Sequence, residues 1–130
     1  MIQLFGFTDE RRGPSSIFVG AIPKPDKDLS QIRETIMVEI KDLAAHGPTA
    51  EEMDKIENQL INDTVRMRQS SMSRAQSIAE FALYDGDPTI VNTDLDDLLA
   101  VTGDQIRHAV GVYLNTENRA LLDVVPAGQG

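Results

Sequence analysis

The chain has 130 residues, of which 41% are hydrophobic and 25% are charged, so it can form one globular domain with a core but not two. Acidic residues outnumber basic residues by 21 to 12, and the formal net charge of -9 disfavours nucleic acid and anionic membrane surfaces as partners. The chain contains no cysteine, which excludes disulfides, thiolate metal sites and a cysteine nucleophile but leaves the cellular compartment open. The sequence shows no apolar run of membrane-spanning length and no signal-peptide pattern at its start.

Residues 1–22 predict a β-hairpin. Residues 1–8 and 16–22 are rich in β-branched and aromatic side chains, and a charged turn containing Gly13 and Pro14 separates them. Both faces of the second run are apolar, which predicts a strand that is buried on both sides. Gly20 within it predicts a close approach by another backbone, and Pro23 ends the strand.

From residue 28 onwards the apolar spacing becomes helical. Asp28 is a candidate N-cap, Gly47 and Pro48 form a stop signal, and one apolar stripe lies between them. The stripe consists of Leu29, Ile32, Ile36, Ile40 and Leu43. Thr49 and Glu52 match a capping box that opens the next helix.

Residues 49–85 contain no glycine or proline, and a serine cluster at residues 70–73 is expected to bend or split the helix there. The apolar face before the cluster is predicted to include Met53, Ile56 and Leu60, and the membership of Met67 stays open. The face after it is predicted to consist of the small or apolar residues Ala75, Ile78, Ala79 and Ala82, which suit close helix packing.

Residues 85–88 (Asp-Gly-Asp-Pro) predict a break, which a short helix up to about residue 99 follows. Thr102 and Gln105 match a second capping box, which opens a helix through Tyr113 and Leu114. After a polar turn at residues 115–118, residues 120–125 predict a last strand.

The order strand, strand, several helices, strand predicts an α+β fold with a small antiparallel sheet and several helices packed on one face. We expect a single partial domain at residues 1–126 and a loose tail at residues 127–130. Three strands are few for this many helices, so the fragment either borrows strands from a partner or lacks its N-terminal half, and the second explanation is favoured.

No catalytic or metal-binding residue can be assigned from the sequence. The two histidines, His46 and His108, lie far apart in the chain and are expected to be helix-end or surface residues. The acidic stretch from Asp85 to Asp104 lacks the spacing of a calcium loop and is expected to be a solvated face. The basic run Arg66, Arg68 and Arg74 is expected to be solvated or salt-bridged, and the methionines Met53, Met67 and Met72 are expected to fill the core.

Residues 13–126 carry an ordered series of weak motifs. The series includes a strand that leads into a helix, the turn HGPTAEE at residues 46–52, the segment ALYDGDP at residues 82–88 and the helix start AVTGDQI at residues 100–106. It ends with a Tyr-Leu helix end and the segment RALLDVVP at residues 119–126. In this order the motifs resemble the C-terminal, non-zinc-binding part of a pitrilysin/insulinase-type zinc metallopeptidase domain, a family that includes mitochondrial processing peptidases and bc1 core proteins.

The resemblance implies a non-catalytic fragment of a zinc metalloendopeptidase, which helps form the substrate chamber and handle the peptide. The family's inverted His-x-x-Glu-His motif is not in this sequence, so zinc would belong to the parent or to a partner half, and the chain alone is predicted to be inactive. The Arg and Tyr that active members place near the substrate match no residue here, since Tyr84 and Tyr113 fall in other segments. The residues that would face a substrate stay open.

The expected partners are the catalytic N-terminal half, in the same or a paired chain, and a peptide substrate in the full assembly. Unpaired sheet edges also predict self-association of the fragment. One alternative is a structural or assembly subunit of the same fold, as the core proteins are. The other is an acidic helical interaction module, which predicts a complete and closed core in the isolated chain.

Overall fold

The strands and helices follow the predicted order from the N-terminal hairpin to the C-terminal helix. A computed structural model describes residues 3–9, 13–24, 28–115 and 117–124. The strands are β1 (Gln3–Asp9) and β2 (Ser16–Ile22), and the helices are α1 (Leu29–His46), α2 (Ala50–Gln69), α3 (Ser71–Tyr84), α4 (Asp94–Leu99) and α5 (Gly103–Tyr113), with a 3-10 helix at Pro88–Asn92. Two antiparallel strands and these helices confirm the predicted α+β class.

Local side-chain caps determine where the helices begin. The Asp28 carboxylate accepts a hydrogen bond from the Ser30 amide at 2.8 Å, as expected for an N-cap. Both predicted capping boxes form. The Glu52 amide donates to Thr49 Oγ1 at 3.2 Å and the Thr49 amide donates to Glu52 Oε2 at 2.8 Å, and Thr102 exchanges the same two bonds with the residue three positions on.

The serine cluster splits the long helical segment, as the sequence predicts. Ser70 has an extended backbone conformation, and its hydroxyl accepts a hydrogen bond from the Ser73 amide at 3.3 Å. It therefore ends α2 and caps α3. Gly47 and Gly86 have φ values of 75° at the two predicted stops, where a left-handed backbone favours glycine.

Helices α1 and α5 pack against each other and form the most buried part of the described structure. Val110 on α5 is 8% exposed and is the one buried hydrophobic residue among those described. The predicted stripe of α1 is half-buried along its whole length, which confirms the helical spacing. A side-chain carbon at Gly47 would lie 3.3 Å from Arg107 Cβ, so this glycine allows the end of α1 to approach α5 closely.

Helices α2, α3, α4 and the 3-10 helix form a second packed group. Its centre is Arg68, whose guanidinium donates to the Val91 carbonyl at 2.9 Å and to Asp94 Oδ1 at 3.0 Å. On α2, Glu57 and Arg68 are half-buried whereas Ile56 is 45% exposed. The predicted α2 face is therefore wrong at Ile56.

The predicted roles of two methionines and of the small-residue face on α3 are also wrong. Met67 is 41% exposed and Met72 is 77% exposed, so neither fills a core, whereas Met53 is half-buried. The half-buried residues of α3 are Ser73, Ser77 and Phe81, whose face packs on the 3-10 helix. The predicted packing face, Ala75, Ile78, Ala79 and Ala82, is exposed.

The predicted last strand does not form within residues 120–124, and Val125 and the tail lie outside the described residues. Segment 117–124 instead contacts α1, where Arg33 pairs with Asp123 and the Arg119 guanidinium donates to the Met37 sulfur. A strand requires a hydrogen-bonded neighbour, and these side-chain contacts hold the segment beside a helix.

The hairpin stands apart from the helices. Extensive contacts between described elements occur within the hairpin and among the helices, so the sheet face that the sequence assigns to helix packing stays uncovered. The predicted burial of β2 on both sides is not observed, since Phe18 and Val19 are 46% and 51% exposed. The molecule thus presents an apolar sheet to its surroundings.

Candidate functional site

The candidate site is the surface of the β1–β2 hairpin. The register pairs Phe7 with Phe18 and Gly6 with Val19, so directly opposite residues share a face. One face, here called the aromatic face, contains Phe5, Phe7, Phe18 and Ile22. The other, here called the aliphatic face, contains Leu4, Ile17, Val19 and Ala21.

The aromatic face is organised by ring contacts. The rings of Phe7 and Phe18 are stacked with centroids 4.8 Å apart, and those of Phe5 and Phe7 are 6.4 Å apart. Gly20 makes room for this row, because a side-chain carbon there would lie 2.4 Å from Phe5 Cζ. The close approach predicted at Gly20 is therefore made by an aromatic ring and not by another backbone.

Both faces of the hairpin are open to solvent. The phenylalanines of the aromatic face are 43% to 54% exposed, and on the aliphatic face Leu4 is 68% and Ile17 52% exposed. Within the described residues no third strand pairs with β1 or β2. An isolated two-stranded hairpin is marginally stable in water, so this surface requires a cover.

The total accessible surface of the chain also indicates that the chain does not cover itself fully. Its accessible area is 10508 Å², whereas a compact monomer of 14.3 kDa is expected to expose roughly 6,800 Å². The difference of roughly 3,700 Å² exceeds what one partner contributes to a standard protein–protein interface, about 800 Å². The chain therefore exposes more surface than a compact monomer of its mass.

A second, smaller feature is a groove between α1 and α5 with a volume of about 250 Å³. It is lined by Met37, Ile40, Lys41, Ala44, Val110, Gly111, Leu114 and Asn115. The lining is mostly apolar, and Lys41 and Asn115 supply its polar side chains. A groove of this composition can take an apolar side chain.

The two histidines lie where the sequence places them. His46 ends α1 and its Nδ1 is 2.9 Å from Asp42 Oδ1, with both side chains more than half exposed. His108 is on the exposed side of α5. Across the described residues, no group of three or more histidine or acidic side chains could hold a metal ion.

The acidic and basic stretches serve as caps and ion pairs. Asp87 caps the 3-10 helix, and hydrogen bonds from the Thr89 hydroxyl and amide lower the pKa of its carboxyl. Asp94 pairs with Arg68, and Arg74 donates to Ser71 Oγ at 3.4 Å. These contacts confirm the salt-bridged interpretation for Arg68, whose contact with Asp94 joins the two stretches.

The row formed by Phe5, Phe7 and Phe18 was not identified from the sequence. A partial signal was available, because two apolar runs joined by a turn predict that the strands pair, whereas the six-residue connection between them does not determine the register. The contacts of Arg68 had no such signal, since they join residues more than twenty positions apart.

None of the helices described here is both long enough and apolar enough to cross a membrane. Comparison of the chain with protein-family models, with curated proteins and with solved structures finds no match. The residues and the geometry of the hairpin are therefore the basis of the function that is proposed below.

Proposed function

We propose that the chain is a non-catalytic part of a zinc metalloendopeptidase of the pitrilysin/insulinase type. In this role it helps form the chamber that encloses an unfolded peptide, and it contacts the half that carries the zinc. The observation that carries the proposal is the hairpin, whose two faces are both apolar and both exposed. A strand pair of this kind belongs inside a larger sheet that is covered on both sides.

The order of the remaining elements supports the same proposal. The capping boxes at Thr49 and Thr102, which are part of the motif series that carries the resemblance, open helices α2 and α5. The break between Tyr84 and Pro88 also lies at its expected place. These are weak motifs singly, and their joint order over residues 13–126 is what supports the family assignment.

The two alternatives differ in what they require of the chain. An acidic interaction module requires a closed core, whereas Val110 is the one buried hydrophobic residue among those described, which disfavours this alternative. A structural or assembly subunit of the same fold accounts for the exposed hairpin equally well. The presence of a zinc-binding partner half separates the second alternative from the proposal.

A peptidase assay tests the proposal. The purified chain is incubated with a fluorogenic unfolded peptide and zinc, with and without a chelator, and we expect no chelator-sensitive cleavage. Co-expression with the product of an upstream or adjacent reading frame that encodes His-x-x-Glu-His is expected to produce cleavage that the chelator abolishes. Chelator-sensitive cleavage by the chain alone would contradict the proposal.

Variants of the chain show whether the hairpin makes the contact. Phe7→Ser in the aromatic face is expected to lower cleavage by the co-expressed pair, because it removes apolar area at the contact. Leu122→Ser is the matched control, since Leu122 is 86% exposed and lies outside the hairpin. Equal activity of the two variants would contradict the assignment of the contact to the hairpin.

A further inference from the structure

We propose that the outer edge of β2 pairs antiparallel with β2 of a second copy, so that two hairpins form one four-stranded sheet in a homodimer. This inference concerns the chain itself and does not depend on the peptidase assignment. It identifies the edge, the register and the partner of the hairpin.

Strand β2 lacks the features that usually protect an exposed edge strand. Exposed edge strands are usually protected by charged residues, prolines or bulges. The strand Ser16–Ile22 contains no charged residue and no proline, and its register with β1 runs without interruption over seven residue pairs. Ile17, Val19 and Ile22 are β-branched, which suits a pleated pairing. In contrast, β1 has Thr8 as its one β-branched residue and ends at a charged Asp9.

The lack of charged side chains on β2 favours this strand as the contact between two copies. Two copies with a formal net charge of -9 each repel one another over most of their surfaces. Because β2 carries no charged side chain, it is a place where two copies can approach without placing like charges opposite each other. The contact is therefore expected to strengthen as added salt screens the remaining repulsion.

The length of β2 allows a two-fold symmetric pairing with a second copy. A two-fold axis at Val19, the central residue of β2, pairs all seven residues of the strand with their counterparts in the second copy. This register places Ile17 opposite Ala21 of the second copy, and it keeps the aromatic faces of both hairpins on one side of the joined sheet. Four strands are a typical size for a sheet, whereas two strands alone are marginal.

The area is sufficient for such a dimer. Each chain exposes roughly 3,700 Å² beyond the expectation for a compact monomer. A standard interface takes about 800 Å² from each partner, which is less than this difference.

The test uses sedimentation velocity and one cysteine substitution. We expect the chain to sediment as a species of twice its 14.3 kDa mass at high concentration. Because the chain has no cysteine, Val19→Cys can form a disulfide only between copies, and paired residues in an antiparallel ladder lie within disulfide range. Val65→Cys on α2 is the matched control, since Val65 and Val19 are 53% and 51% exposed.

Rapid oxidative cross-linking of Val19→Cys, with little for Val65→Cys, is the expected result. Val19→Lys is expected to weaken the dimer by about tenfold or more, because it removes the contact between the two Val19 side chains and places two positive charges at the axis. Val65→Lys should leave the dimer unchanged. A strictly monomeric chain at high concentration, equal cross-linking of both cysteine variants, or a dimer that Val19→Lys and Val65→Lys affect equally would overturn the proposal.

Discussion

Thr102→Ala removes the hydroxyl that caps α5, and the structure predicts the size of the effect. The Thr102 hydroxyl accepts from the Gln105 amide at 3.3 Å and donates to Gln105 Oε1 at 3.1 Å. Loss of such a cap typically costs about 1 kcal/mol of stability. For a chain of 130 residues this corresponds to a decrease in Tm of about 4 °C. Because α5 carries the buried Val110, the loss is expected to affect the global unfolding transition.

Thr93→Ala is the matched control, because Thr93 holds the same N-cap position on α4 but makes no side-chain cap hydrogen bond. Its substitution is expected to change stability by less than about 0.5 kcal/mol. Thermal unfolding is followed by circular dichroism at one fixed protein concentration, since self-association makes the Tm depend on concentration. Equal shifts for the two variants would refute the assignment of the effect to the capping box.

Two further predictions concern titration and ion pairing. Hydrogen bonds from Ser30 and Thr49 lower the pKa of the Asp28 and Glu52 carboxyls. These hydrogen bonds to the ionised carboxylates therefore stabilise the fold at neutral pH, and this stabilisation is lost as the pH falls below about 4 and the carboxyls become protonated. Thermal scans should show a Tm that falls with acidification, less so for Asp28→Asn, and a Tm that does not vary between pH 6 and 3 would contradict this. A double-mutant cycle of Arg68→Ala and Asp94→Ala should give a coupling free energy of about 0.5–1 kcal/mol. The exposed Arg107–Asp104 pair is the control, and its coupling free energy should be nearly zero. Equal values for the two pairs would contradict the bridging role of Arg68.

The helix boundaries were predictable because they depend on neighbouring residues. Asp28, Thr49, Ser70 and Thr102 each bond an amide two or three positions along the chain, so each cap can be recognised from a short segment. The hairpin was predictable for a similar reason, since two apolar runs with a turn between them predict that neighbouring strands pair.

The packing of α2 and the fate of the last segment were not predictable in this way. On α2 Glu57 is half-buried and Ile56 is exposed. Arg68 on the same helix contacts Val91 and Asp94, which lie more than twenty positions along the chain. The apolar run at residues 120–124 has the composition of a strand, but a strand forms only where another strand offers its edge. Among the described residues no such edge reaches it, and the Arg33–Asp123 pair holds it beside α1.

The candidate site itself was half predictable. Apolar residues on both faces of β2 indicated that this strand needs cover on both sides, and the exposure of Phe18 and Val19 shows that the described chain does not supply it. What covers the hairpin is a property of another surface, which no local pattern in this sequence encodes. The absence of charge from β2 is the strongest sequence feature that bears on it.

The most direct test of the proposed function is to determine the gene sequence upstream of the Met1 codon together with that of the neighbouring gene. The account predicts a reading frame, continuous or adjacent, that encodes a His-x-x-Glu-His helix followed by a later glutamate, which together would bind zinc. The absence of this motif from both reading frames would contradict a role in a zinc peptidase and would favour the structural or assembly subunit.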